Sequence, residues 1–134
     1  MPVIYASEPD LPAEEFRGIL TASTLAERRP AGDLERLERM LRNADIIITA
    51  RDRGRLIGIA RAVTDFSYCC YLSDLAVAKD RQREGIGRRL IDETRKQAGD
   101  SATLILVAAP AAESYYPHIG MTPLPSCWSL PRTR

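Results

Sequence analysis

Residues 72–98 read LSDLAVAKDRQREGIGRRLIDETRKQA, and the architecture of the chain is built around them. Leu72, Leu75, Ala76 and Val77 form an apolar strand that stops where charge begins at Lys79. Ile86, Leu90, Ile91 and Thr94 recur at helical spacing, which predicts a helix over 85–98 with one buried face. Gly99 ends it, and Lys96 sits in the last turn, at the negative end of the dipole. The helix starts at Gly85-Ile86-Gly87. A helix mouth of this kind offers unpaired N–H groups and a positive dipole end, and glycine lets an anion approach the backbone closely. The pattern suits a phosphate-bearing ligand, with a plain tight turn as the alternative. Two familiar phosphate loops are excluded. Arg88-Arg89-Leu90 follows Gly87, so the third glycine of a dinucleotide fingerprint is missing, and no Gly-Lys-Ser/Thr follows to make a Walker loop.

Strand signals precede this unit. Val3 to Ser7 is a first strand, and Ile46 to Ala50, the turn Asp52-Arg53-Gly54-Arg55 and Leu56 to Thr64 form a hairpin. Gly58 marks a bulge or a close approach to the second hairpin strand. Asp65-Phe66-Ser67 turns into the fourth strand, Tyr68 to Val77. Two helices fall between strands one and two. The first carries Phe16, Ile19 and Leu20 and has Asp10 as its expected cap. The second carries Leu34, Leu37 and Leu41 behind the cap Asp33, and Arg28-Arg29-Pro30-Ala31-Gly32 separates the two. After the glycine-loop helix, Ala102 to Ala108 is an apolar strand, and a strand–helix–strand unit of this length implies a parallel pair. Pro110 opens a short helix, and the tail MTPLPSCWSL is expected to hold one or two short strands. Arg51, Arg53 and Arg55 read as a solvated hairpin tip before they read as an anion site.

The chain has 134 residues, 45% hydrophobic, with a net charge of +1, which suits one domain and argues against a dedicated nucleic-acid or membrane-surface protein. No apolar run is long enough to cross a bilayer, and the N-terminal residues lack a basic segment followed by an apolar one. Cys69, Cys70 and Cys127 are odd in number and two are adjacent, and there is one histidine, so neither a disulfide framework nor a metal site is expected. These features lead to the expectation of a cytoplasmic protein with reduced thiols.

Two segments carry a family resemblance. Gln82-Arg83-Glu84-Gly85-Ile86-Gly87 resembles the Q/R-x-x-G-x-G/A pyrophosphate loop of the GNAT superfamily of N-acetyltransferases, and Asp74-Leu75-Ala76-Val77 before it resembles that family's fourth strand. Glu113-Ser114-Tyr115-Tyr116-Pro117-His118-Ile119-Gly120-Met121 resembles the family's A-x-x-F/Y-Y-x-x-x-G-F/M segment after the fifth strand. The order of elements follows the same fold over nearly the whole chain. The resemblance implies an α/β (α+β) domain spanning 1–134, with a mixed, mostly antiparallel sheet, a central parallel strand pair and flanking helices.

The implied activity is transfer of acetyl from acetyl-coenzyme A to a primary amine of a small acceptor, by direct attack in a ternary complex. The alternative is a non-catalytic acyl-coenzyme A sensor or interaction domain. By resemblance, backbone groups of Leu75, Ala76 and Val77 pair with the pantetheine arm, and one N–H there stabilises the thioester oxygen. The diphosphate lies on the N–H groups of Arg83, Glu84, Gly85, Ile86, Gly87 and Arg88, with the Gln82 side chain adding a bond and Glu84 facing water. Tyr116 takes the position of the general acid that serves the leaving thiolate, with Tyr115 as its packing partner and Pro117 bearing on its aim. Asp74 is the candidate base, with a structural hydrogen-bonding role as the alternative. His118 is read as a surface or structural residue, and Cys127 and Trp128 as core or interface. No metal is expected, and a homodimer is one expectation drawn from the family.

Overall fold

The computed structural model describes residues 2–133. Five strands form one sheet in the order β1-β2-β3-β4-β5: Ile4–Ser7, Ile46–Asp52, Arg55–Thr64, Cys69–Val77 and Thr103–Ile105. The first three pairings are antiparallel, and β4 pairs with β5 in parallel. Helix α1 (Ala13–Ala22), a 3-10 turn (Leu25–Arg28) and helix α2 (Leu34–Arg42) lie between β1 and β2. Helix α3 (Ile86–Ala98) connects β4 to β5, and a short α4 (Tyr115–His118) follows. This is the mixed, mostly antiparallel sheet with flanking helices that the family resemblance implies, except that the parallel pair is not central.

Helices cover the sheet on both sides, which explains why Ile46 to Ala50 is a continuous buried run with no alternation. On β3, Gly58 faces α3. A Cβ there would meet Ile86 Cγ2 and Leu90 Cδ1 at 3.1 Å, so the glycine lets α3 sit close against the sheet. The register also shifts beside it, since Ala50 pairs with Gly58 but Arg51 with Leu56. Side chains alternate along a strand, so Arg61 points to the opposite face, where it reaches the Met40 carbonyl of α2 at 3.3 Å. Phe16, Ile19 and Leu20 of α1 and Leu37 and Leu41 of α2 are buried there, each at a transfer gain of about 1.5–3 kcal/mol.

Asp33 caps α2 by accepting from the Arg36 N–H at 3.1 Å, as its position predicts. Asp10 does not cap α1. Pro12 stands at that N-cap without a side-chain bond, and Asp10 is an exposed partner of Arg42 at 3.8 Å. The hairpin arginines are paired and form no anion site: Arg51 bonds Glu8 at 2.9 Å and Glu15 at 2.8 Å, and Arg55 bonds Asp80 at 3.1 Å.

The C-terminal part differs most from expectation. β5 spans Thr103–Ile105 and not Ala102 to Ala108, and no described residue after Ile105 joins the sheet. The parallel pair therefore lies at one edge of the described sheet. Pro123, Pro125 and Pro131 remove ladder donors from the tail, which accounts for the missing strands. Trp128 and Cys127 do not enter the core: Trp128 is 90% exposed and Cys127 is exposed. Among the described residues, no helix is long and apolar enough to cross a membrane, and no cluster of His, Cys, Asp and Glu could hold a metal ion.

Candidate active site

The loop before α3 has the geometry its glycines require. Arg83 and Gly85 take left-handed backbone conformations, at φ 69° and 81°, and Gly85 is the N-cap of α3. The first bond within the helix runs from the Arg89 N–H to the Gly85 carbonyl at 3.1 Å, so the N–H groups of Ile86, Gly87 and Arg88 have no partner inside the helix. Gly87 is needed for a different reason than Gly85. Its backbone is ordinary, but a Cβ would stand 3.1 Å from the Tyr115 hydroxyl. Among the loop side chains, Arg81 is committed to Glu84 at 2.9 Å and to Asp52 at 2.8 Å. Those bonds hold the Glu84 and Asp52 carboxyls below the usual carboxylate range and keep Glu84 exposed, as expected. Gln82 turns back to the Val77 carbonyl at 3.1 Å, where it fixes the loop to the end of β4. Arg83 and Arg88 are exposed.

The parallel ladder is short. It runs from Cys69 opposite Thr103 to Tyr71 opposite Ile105, while β4 continues to Val77. Beyond Tyr71 the two segments part, and a cavity of about 660 Å³ extends beside the gap. Leu72, Ser73 and Leu75 line it from β4, and Leu106 and Val107 from the segment after β5. A β-bulge shapes this wall. Arg61 pairs with Asp74 but Ala62 pairs with Leu72, so Ser73 is the extra residue and β4 bends there. Of the three β4 residues predicted to hold the pantetheine arm, Leu75 lines the cavity, Ala76 is buried and Val77 is half-buried.

Tyr116 lies on the wall of the same cavity. Burial raises its phenol above the ordinary tyrosine range, with the neighbouring Tyr115 adding to the effect, so it stays protonated at neutral pH. The Tyr115 ring packs edge-on against it, with centroids 5.3 Å apart and planes at 75°. Tyr115 is also more than a packing partner. Its hydroxyl sits at Gly87, and burial raises its pKa while the Arg88 N–H partly offsets that rise. The two tyrosines thus join the cavity to the helix mouth. Sequence reasoning missed the hydroxyl contact, because a Tyr in the place of an F/Y position carries no sign of where its oxygen points.

Asp74 does not line the cavity. Its side chain is 0% exposed and lies between Arg29 and Arg61, one guanidinium at each carboxylate oxygen. The same arginines hold the bulge: Arg29 bonds the Ser73 carbonyl at 2.7 Å, and Arg61 bonds the Ser73 hydroxyl at 3.1 Å. A carboxylate with a guanidinium at each oxygen and no exposed surface is out of reach of an amine that enters the cavity. This placement favours the structural hydrogen-bonding alternative over the role of general base.

The sheet thus parts beside a glycine loop and a helix mouth, with the Tyr116 phenol on the wall of the gap. The family profile described as "Acetyltransferase (GNAT) domain" matches residues 15–124, and the chain belongs to that family. A probable acetyltransferase from meticillin-resistant Staphylococcus aureus has the same fold, with a TM-score of 0.81 and 22% identity over 99% of this chain and 100% of that one. A GNAT-family acetyltransferase from Streptococcus pneumoniae matches with a TM-score of 0.75 and 21% identity over 99% and 98%. An aminoglycoside 6'-N-acetyltransferase complexed with coenzyme A matches at 0.65 and 23% over 77% and 60%. In sequence, the uncharacterized N-acetyltransferase ycf52 of Gracilaria tenuistipitata var. liui is 36% identical over 67 residues, 48% of this chain and 37% of that protein's length.

Proposed function

We propose that this chain transfers an acetyl group from acetyl-coenzyme A to a primary amine of a small acceptor, by direct attack in a ternary complex. One observation carries the reading: the protonated phenol of Tyr116 lies in the cavity beside the β4–β5 gap, and its neighbour Tyr115 touches the helix mouth. A domain that only sensed the ligand would have no use for a proton donor there.

Bound acetyl-coenzyme A supplies an activated acetyl thioester. The N–H groups of Gly85, Ile86 and Gly87, with Arg83 and Glu84 shaping the turn, receive the diphosphate, while the Arg88 N–H is turned to the Tyr115 hydroxyl. Gln82 takes no direct part in this account, since it braces the loop against Val77. Backbone groups of Leu75, Ala76 and Val77 hold the pantetheine arm, and an N–H among them faces the carbonyl oxygen as negative charge develops. Tyr116 gives its proton to the sulfur as the C–S bond breaks and the N–C bond forms. The proton lost by the amine leaves through water, because Asp74 is closed off, and water returns a proton to the Tyr116 phenolate.

The test is direct. Purified protein is titrated with acetyl-coenzyme A by calorimetry, and thiol release is followed over a panel of primary amines. Binding together with amine-dependent thiol release supports the proposal. Tight binding without acetylation of any amine would replace it with the sensor reading, and no binding at all would reject both.

A further inference from the structure

The cavity that holds Tyr116 is lined by five arginines, Arg28, Arg29, Arg36, Arg61 and Arg132, and by no Asp or Glu among the described residues. One carboxylate, Asp74, lies behind the wall, and it is already shared between Arg29 and Arg61. The nitrogens of those two arginines are further used on the carbonyls of Arg28, Met40 and Ser73 and on the Ser73 hydroxyl. Arg28 and Arg36 form no ion pair among the described residues, and they stand on separate elements, the 3-10 turn and α2, on the α1–α2 side of the cavity. The chain as a whole carries a net charge of only +1, so this concentration is local.

A cavity with this field repels a polycationic amine and welcomes an acceptor that brings its own negative charge. Guanidinium forks also match carboxylate and phosphate oxygens in geometry. Resting on the transfer reading above, we propose that the acceptor is a small amine bearing an acidic group, with Arg28 and Arg36 as the residues that bind that group. The acid anchors the acceptor on the α1–α2 side and leaves its amine free to reach the thioester beside Tyr116. A cavity of about 660 Å³ has room for a molecule of this size and not for a folded partner.

The test uses the wild-type chain, acetyl-coenzyme A and four acceptors matched in their amine end, β-alanine, O-phosphoethanolamine, ethanolamine and 1,3-diaminopropane, with an aminoglycoside as a larger polycation. The expected result is a kcat/KM at least about tenfold higher for an acidic member than for ethanolamine, with the two polycations lowest. The ratio of β-alanine to O-phosphoethanolamine then tells carboxylate from phosphate. Arg36→Ala and Arg28→Ala should each raise KM for the acidic acceptor about tenfold while leaving the affinity for acetyl-coenzyme A unchanged. Arg36→Glu should move the preference toward the diamine. Preference of the wild type for a polycation, or equal losses on acidic and neutral acceptors in the arginine variants, would overturn the proposal and leave the transfer reading standing. If no amine is acetylated, the transfer reading fails by itself. The charge claim is then decided by calorimetry with N-acetyl-β-alanine and N-acetyl-1,3-diaminopropane, where weaker binding of the acid overturns it.

Discussion

Asp74→Asn keeps the shape of the side chain and deletes its charge. In the wild type the carboxylate is 0% exposed, and its partners Arg29 and Arg61 have side chains only 20% and 9% exposed. The substitution leaves two guanidiniums crowded together, out of most of the solvent and without a counter-charge. Removing one partner of a buried ion pair costs about 3–5 kcal/mol. Since Arg29 keeps some access to water, the lower half of that range applies, about 3–4 kcal/mol. A domain of this length has an unfolding entropy near 0.28 kcal/mol/K, at about 2.1 cal/mol/K per residue, so Tm should fall by roughly 10–15 °C. Thermal unfolding by calorimetry or circular dichroism reads this directly. A cycle with Arg61→Met should show coupling of about 0.5–3 kcal/mol, because the two residues form one network. An unchanged Tm together with a turnover about a hundredfold lower would refute the clamp and return Asp74 to the role of general base.

Other expectations follow from particular residues. Gly87→Val puts a branched side chain where a single Cβ already meets the Tyr115 hydroxyl at 3.1 Å. It should weaken acetyl-coenzyme A binding at least about tenfold while the protein stays folded, by calorimetry and circular dichroism. Gly85→Ala forces a left-handed residue at φ 81°, and the cost of about 1–2 kcal/mol should lower Tm by about 4–7 °C. The exposed Asp65 accepts N–H bonds from Tyr68, Ser67 and Cys69, which lower its pKa to about 2. A depressed carboxylate stabilises the fold above its unfolded pKa of about 4, and the contribution is lost as pH falls through about 2. Amide protection at Ser67, Tyr68 and Cys69 should therefore drop within that window in the wild type, and Asp65→Ala should show no such drop.

The elements that repeat a pattern were legible. Helical spacing from Ile86 to Thr94 predicts α3, the run at Ile46 predicts a hairpin strand, and the two glycines of the loop locate the helix mouth. What could not be read depends on contacts between distant parts of the chain. Arg29 lies in a stretch that reads only as a break between helices, yet it bonds Asp74, 45 residues away. No local period connects Arg29, Arg61 and Asp74, so a carboxylate on the fourth strand reads equally well as base or as clamp. The bulge at Ser73 is silent for the same reason, since it is a property of two strands in register. The short strands expected in the tail are absent among the described residues, because its prolines deny a ladder its donors. The arginine lining of the cavity assembles from the 3-10 turn, α2, β3 and the tail, and none of those segments is unusual by itself.

The central claim is that Tyr116 supplies the proton to the departing thiolate. Tyr116→Phe keeps the ring and its edge-on contact with Tyr115 and removes only the hydroxyl. On an amine that the wild type acetylates, the measurement is kcat alongside the dissociation constant for acetyl-coenzyme A. A group that acts in the transition state changes the first and not the second. The expected result is a kcat lower by about a hundredfold or more, with the dissociation constant within about twofold of wild type. Because burial raises the phenol above its ordinary value, any alkaline fall in wild-type kcat from Tyr116 should lie at higher pH than for an exposed tyrosine. Turnover by Tyr116→Phe at the wild-type rate would contradict the account.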